Sequence, residues 1–289
     1  MTPNIETVTR WRKLFSDVTS DIASVIAERK STPSIPFDFG LDFILSHFQD
    51  VIWPRTISTK ITKNKQVLVY NREEALARFK QANFLDCRIS AYPIYVEWKG
   101  INRQAPNFIF IDLDLGSFKR RLALDRALSK ILKNINEKFH TNVCPTILWS
   151  GDGYHIYLPV DAVLLEAESE FARFGQPSRK FLQFAEVYLS NKKSDPCHSL
   201  GLSFKNCMLR VPGSFNSKNE GREEVKIIQK WDRNRPSIKP LYYRFDLYLL
   251  VQRSKELNRP KRAEFVRFST DWKLSEQKTT TNKDFKVNE

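Results

Sequence analysis

The sequence predicts an α+β fold: a mixed or antiparallel sheet backed by helices, with a helical segment at the N-terminus. Three observations carry that expectation. Short β-branched or aromatic runs alternate with amphipathic runs of helical period. The apolar run Phe108–Ile111 has the length and composition of a buried strand. Tight turns at Ser150–Gly153 and Pro212–Gly213 separate neighbouring strand candidates.

In chain order, Trp11, Leu14, Phe15, Val18, Ile22, Val25 and Ile26 recur at three- and four-residue steps, so Thr9–Glu28 reads as an amphipathic helix. Prolines 33 and 36 stop it, and Leu41–Phe48 suits a short second helix. Asn71 precedes Arg72–Phe79 as an N-cap, with Glu73 and Glu74 in the first turn. Arg88–Trp98 alternates like a strand, and Phe108–Asp112 follows as the buried one. Ser117–Phe139 reads as a long helix burying Leu122, Leu124, Leu128, Ile131, Leu132 and Ile135. Pro145–Trp149 and Tyr154–Pro159 form a strand pair, and Leu164–Leu189 is helical with a break near Gly175–Pro177. Asn206–Val211 and Val225–Lys230 read as strands and Tyr242–Val251 as a helix. From Lys273 the apolar content falls, which predicts a disordered tail. The expected domains are a helical cap over 1–50, a central domain over 51–255 and a basic extension over 256–289.

The 289 residues are 41% hydrophobic and 28% charged, enough for a sizeable core and against wholesale disorder. No apolar run approaches the roughly 18 residues of a membrane span, and the N-terminus lacks the pattern of a secretion signal. Four scattered cysteines suit a reducing cytoplasm. The expected location is therefore cytoplasmic, nucleoid- or plasmid-associated in a prokaryote. Lys and Arg outnumber Asp and Glu 47 to 33 for a net charge of +14. Residues 1–50 carry −2, so the remainder carries +16. Such an excess attracts polyanions, nucleic acid foremost, although a solvated basic surface has the same composition.

Three segments carry candidate chemistry. Asp112 and Asp114 end the buried strand; residues two apart on a strand share a face, roughly 6.5–7 Å apart, where two carboxylates repel unless a cation lies between them. Mg²⁺ suits such a pair, and an acidic strand exit facing solvent is the alternative. The second segment is the Ser150-Gly151-Asp152-Gly153 turn leading to His155. Its glycines permit close backbone approach, Ser150 and turn amides suit phosphate oxygens, and His155 suits a donor role. A plain hairpin with a half-buried histidine reads the same way. In the third, Arg210 and Lys218 bracket a turn with Ser214, Asn216 and Ser217, a set able to bind a triphosphate or to make a basic hairpin. Asp195 lies upstream as a candidate third carboxylate, with Asp161 as alternative. Cys197, His198 and Cys207, with Cys87 or His140, are a weaker candidate zinc set at irregular spacing.

Taken in order, these segments resemble the archaeo-eukaryotic primase superfamily, the primase small subunits and primase-polymerases. Asp112 and Asp114 match its Asp-x-Asp motif, Ser150–His155 its Ser/Gly turn with histidine, and Arg210–Lys218 the Arg-x-Pro-Gly segment that follows a third carboxylate. The resemblance spans about 70–230. It implies a catalytic core built on an RRM-like sheet, with Asp112, Asp114 and Asp195 as catalytic metal ligands for two Mg²⁺ or Mn²⁺ ions. Ser150, Gly151, Gly153, His155, Arg210, Ser214, Asn216 and Lys218 would bind the nucleotide. It further implies template-dependent primer synthesis or extension from dNTP or NTP on single-stranded DNA, with a helicase or other replication protein as a possible partner and no membrane. An end-joining or gap-filling polymerase, and a non-catalytic RRM-like nucleic-acid-binding module, are the alternatives. Tyr92, Tyr95, Trp98 and Trp149 are candidates for base stacking or for the core.

Overall fold

A computed structural model of the chain describes residues 35–94, 105–162, 177–218 and 223–257. The Thr9–Glu28 helix, Tyr95, Trp98, the first half of the Leu164–Leu189 helix and the tail from Lys273 lie outside the described residues. Among the described residues no helix is long and apolar enough to cross a membrane.

The fold is α+β, with antiparallel sheets backed by helices. The main strands divide between two four-stranded sheets. Sheet one holds β1 (Arg55–Ser58), β2 (Val67–Val69), β3 (Arg88–Ser90) and β7 (Met208–Arg210) in the order β2-β1-β3-β7. Sheet two holds β4 (Phe108–Asp114), β5 (Thr146–Trp149), β6 (Gly153–Pro159) and β10 (Lys226–Gln229) in the order β10-β5-β6-β4. Every strand pair in both is antiparallel. β8 (Phe215–Asn216) and β9 (Glu223–Glu224) make a small ribbon.

The helices follow local rules. α1 spans Phe37–Leu45, earlier than the Leu41–Phe48 expected, because Pro36 takes its N-cap position. α2 (Arg72–Gln81) starts as predicted, with Asn71 Oδ1 accepting the Glu74 N–H at 2.8 Å. α3 (Arg121–Phe139) buries Leu124, Ala127, Leu128, Ile131, Ile135 and Phe139, a stripe of helical period, and ends on His140 in the left-handed region. Each large apolar side chain so buried contributes about 1.5–3 kcal/mol. That exceeds the propensity differences between residues, so packing sets the helix's rotation. The predicted start at Ser117 does not hold: Leu115–Ser117 form a 3₁₀ turn, and Leu122, expected inside, is exposed in the first turn of α3.

α4 (Pro177–Leu189) packs on β4 and against α3, burying Phe181, Leu182, Ala185, Glu186 and Leu189. α5 (Pro196–Gly201) packs on α4. α6 spans Lys239–Leu257, longer at both ends than expected. The chain divides into two compact units between Tyr243 and Arg244, within this helix. In the second unit, the Phe245 and Tyr248 rings stack at 6.2 Å.

Candidate active site

β4 and β6 pair with Asp112 opposite His155 and Asp114 opposite Gly153, so the first two motifs meet by strand register. His155 Nε2 lies 3.4 Å from Asp112 Oδ1. Two residues on along the same face, Tyr157 Oη accepts the Arg210 backbone N–H at 2.8 Å and lies 3.1 Å from His155 Nδ1. With Nε2 toward the Asp112 carboxylate and Nδ1 toward a hydroxyl that already accepts from Arg210, the tautomer that satisfies both contacts carries its hydrogen on Nε2. Burial, with Arg210, His198 and Arg88 nearby, keeps the His155 pKa well below its usual value, so the ring is neutral at pH 7. This Tyr157 bond also fastens β7 of sheet one to β6 of sheet two, which brings the third motif to the other two.

The carboxylates crowd each other. Burial, together with Glu186, Asp195 and Asp114, pushes Asp112 up to about 6, with His198 acting in the opposite direction. The backbone N–H of Asp195 donates to the Asp112 carbonyl at 2.8 Å, which brings this candidate beside the pair. Its side chain is engaged as the N-cap of α5, accepting from Cys197 N at 3.1 Å and His198 N at 3.3 Å. Asp114 accepts Gly116 N–H and faces Lys218, whose Nζ lies 2.9 Å from Asp114 Oδ2 and 2.5 Å from Asp152 Oδ2. Lys218, expected on a phosphate, thus bridges two carboxylates, and these raise its pKa. Asp161 leaves the opposite end of β6, beyond Pro159, and pairs with Ser237 instead.

The remaining predicted nucleotide contacts mostly build scaffold. Buried Ser150 donates to Gly153 O and accepts Asn216 Nδ2 on its carbonyl at 2.9 Å. Ser214 donates to Val211 O within its own turn. Asn216 also accepts the Lys218 N–H, so it ties the second motif to the third. Gly151 has φ +92, and a Cβ there would meet Asn216 and Glu223 at about 3 Å, so its freedom serves close packing of the turn on the β8–β9 ribbon. Gly153 likewise abuts the Leu113 carbonyl of β4. Only His155, Arg210 and Lys218 present charged or titratable groups. Of the stacking candidates, Tyr92 is core and donates to Phe108 O at 2.6 Å, while Trp149 carries the Arg121 guanidinium over its ring at 3.6 Å.

Four residues escaped the sequence reading. Asp86 holds Arg210 Nη1 at 3.4 Å and accepts both Ser217 N–H and its hydroxyl, at 3.1 and 2.6 Å. Burial opposes its ionisation, yet Ser217 and Arg210 hold its pKa below the usual carboxylate range. Glu186, fully buried, accepts Asp112 N–H at 3.1 Å and His198 Nδ1–H at 2.8 Å on Oε1. Burial would lower the His198 pKa, but the Glu186 bond and the Glu186, Asp112 and Asp195 charges raise it. Tyr157 and Arg88 complete the set. The signals differ: Glu186 sits on the apolar stripe of α4, and Tyr157 is two residues from His155 on one strand face.

The zinc expectation fails on geometry. Cys207 is fully buried, Cys197 is exposed, and His198 is turned to Glu186. Cys87 is buried and His140 caps α3. Among the described residues no three His, Cys, Asp or Glu side chains form a ready ligand set. For Asp195 the reason is its capping role, and for Asp114 it is Lys218. A hydrated divalent ion needs only one or two carboxylates. The Asp112–Asp114 pair fits that need: Asp112 is crowded by like charge, and the buried atoms Glu186 Oε2 and His198 Nε2 have no partner among the described residues.

No protein-family model matches the chain, and no curated protein matches it. Among solved structures it is similar to the crystal structure of primase RepB', with a TM-score of 0.47 and 12% identity over 80% of this chain and 69% of that one. It is also similar to the AEP domain of the cyanophage S-2L primase-polymerase, with a TM-score of 0.45 and 11% identity over 73% of this chain and 98% of that one.

Proposed function

We propose that the chain is a metal-dependent nucleotidyltransferase, a primase or primase-polymerase that joins nucleotides on a single-stranded DNA template, with its transfer site within residues 51–255. One observation carries the reading: a crowded carboxylate pair, Asp112 and Asp114, lies beside a neutral histidine of the neighbouring strand, whose partner Tyr157 also holds the backbone of Arg210 from the other sheet.

Asp112 and Asp114 would hold Mg²⁺ or Mn²⁺, and Asp195 would join them on release from its cap. The bound ion supplies charge neutralisation at the α-phosphate and a more acidic 3′-hydroxyl. The chain's own groups do the positioning. His155 Nε2–H, oriented by Tyr157, donates toward an anionic oxygen on the Asp112 side. Arg210, its Nη1 held by Asp86, offers the remaining edge of its guanidinium to a phosphate. Lys218, held on Asp114 and Asp152, would neutralise the outgoing phosphates once free of those carboxylates. Catalysis of this kind is placement and electrostatics. The net charge of +14 supports a sequence-independent, salt-sensitive hold on template phosphates.

The test is synthesis on single-stranded DNA from labelled dNTP or NTP, with and without primer, in Mg²⁺ or Mn²⁺. Primer-free products support a primase, and products only from primed ends support a gap-filling polymerase. Absence of incorporation under all conditions, with DNA still bound, would leave a binding module.

A further inference from the structure

β3 and β7 pair with Arg88 directly opposite Arg210. Opposed residues of an antiparallel pair share a face with Cβ atoms about 4.5–5.5 Å apart, and like charges there are destabilising. Among the described residues one carboxylate, Asp86, lies close enough to offset this repulsion, and it is shared between the two arginines. Arg210 has one carboxylate contact, to Asp86 at 3.4 Å, and both Asp86 oxygens are also bonded to Ser217. Arg88 has no carboxylate partner among the described residues; its Nη1 reaches Asn64 Oδ1 at 3.5 Å. Burial, and then Arg210, depress its pKa to about 10, with Asp86 acting in the opposite direction. Arg210 donates its backbone N–H to Tyr157 Oη, which lies 3.1 Å from His155 Nδ1, and Arg88 is its strand partner, so the pair stands beside the transfer site.

We propose that Arg88 and Arg210 form a two-arginine clamp for phosphate oxyanions, and that its ligand is the terminal phosphate of the nucleotide's polyphosphate. The identity of that ligand rests on the transferase reading; the clamp itself does not. Two guanidinium forks match a dianionic terminal phosphate better than the single charge of a DNA phosphodiester. The position beside His155 and Asp112 puts the clamp on the side where a triphosphate would lie.

The experiment uses the full chain without divalent metal, titrated with sodium tripolyphosphate and separately with oligothymidylate, by calorimetry and thermal shift. Variants are Arg88→Gln and Arg88→Lys. For the wild type, tripolyphosphate raises the melting temperature. In R88Q the ligand-free protein melts no lower than wild type, because a repulsion is removed, and tripolyphosphate binds about tenfold or more weakly. R88K, with charge but no fork, falls between the two, and oligothymidylate affinity changes little in either. Wild-type tripolyphosphate affinity in R88Q overturns the clamp. An equal loss for oligothymidylate and tripolyphosphate makes the site a DNA-backbone contact and overturns the assignment. Lower ligand-free stability in R88Q, restored in R88K, makes Arg88 structural and also overturns it. Because no step requires turnover, this failure is distinct from that of the transferase reading, which the primer-free assay decides.

Discussion

The two four-stranded sheets meet at one site with opposite charge. Sheet two presents Asp112 and Asp114 from a single strand, two residues apart, and a tyrosine-held histidine from its neighbour. Sheet one presents Arg88 and Arg210 from two strands that are far apart in sequence. The acidic half is thus local and the basic half is assembled by pairing. What the difference teaches is that cation-binding chemistry can be written into one strand, whereas an oxyanion cradle depends on register. Each half carries like charge that a single neighbour only partly relieves, Lys218 on the acidic side and Asp86 on the basic side, and the proposed function would put a ligand holding both signs at this seam.

The sharpest break of that comparison is on the acidic side. Asp112→Asn is expected to lower nucleotide incorporation by about a thousandfold or more, with oligonucleotide affinity nearly unchanged. Primer-extension rates and a DNA-binding titration check this, and near-normal incorporation would detach the carboxylate from the chemistry.

The next effect concerns the far end of sheet two. His47 donates Nδ1–H to Phe43 O at 2.7 Å and accepts the Thr146 hydroxyl on Nε2 at 2.6 Å. Burial lowers its pKa to about 4 from 6.5. The unfolded chain therefore takes up a proton near pH 6.5 that the folded chain refuses until about pH 4. Stability should fall across that window by on the order of 3 kcal/mol as pH drops, and be insensitive to this group above it. Urea melts of wild type and His47→Gln between pH 4 and 7 measure the effect; identical pH slopes would remove His47 as its source.

Tyr157 joins the sheets and orients the histidine, so Tyr157→Phe tests the seam itself. Loss of the hydroxyl leaves the Arg210 N–H without its acceptor, at about 1–3 kcal/mol. It also frees His155 to populate both ring tautomers. ¹⁵N chemical shifts of the His155 ring would then move from a single-tautomer pattern to a mixture, whereas a purely packing role would leave them in place. The smallest effect belongs to the support of sheet one: Asn71→Ala removes the α2 cap and costs about 1 kcal/mol. Nucleotide KM should stay as in wild type, and a changed KM would mean that α2 bears on the site.

Much of this was legible beforehand. The Asn71 cap, the β4 run with its two acids and the hairpin leading to His155 rest on neighbours within a few residues, and all three appear as read. The α3 start at Ser117 failed because Asp114 caps a 3₁₀ turn at Leu115–Ser117, a local competitor that periodicity does not register. Ser150, Ser214 and Asn216 carry the residue types of a phosphate cradle, but their side chains or carbonyls close turns, a use composition does not separate from ligand binding.

The sequence by itself determined the α+β class, the Asn71-capped helix, the hairpin before His155 and the strand that carries the paired acids, because periodicity, capping and turn chemistry act over a handful of residues. Only the tertiary structure decided that Arg88 faces Arg210, that Tyr157 selects the His155 tautomer, that Glu186 sits beneath Asp112 and that Asp195 caps a helix. Those relations join groups tens to more than a hundred positions apart. They depend on strand register and on which faces are excluded from water, and electrostatic interaction between side chains follows distance through space rather than distance along the chain.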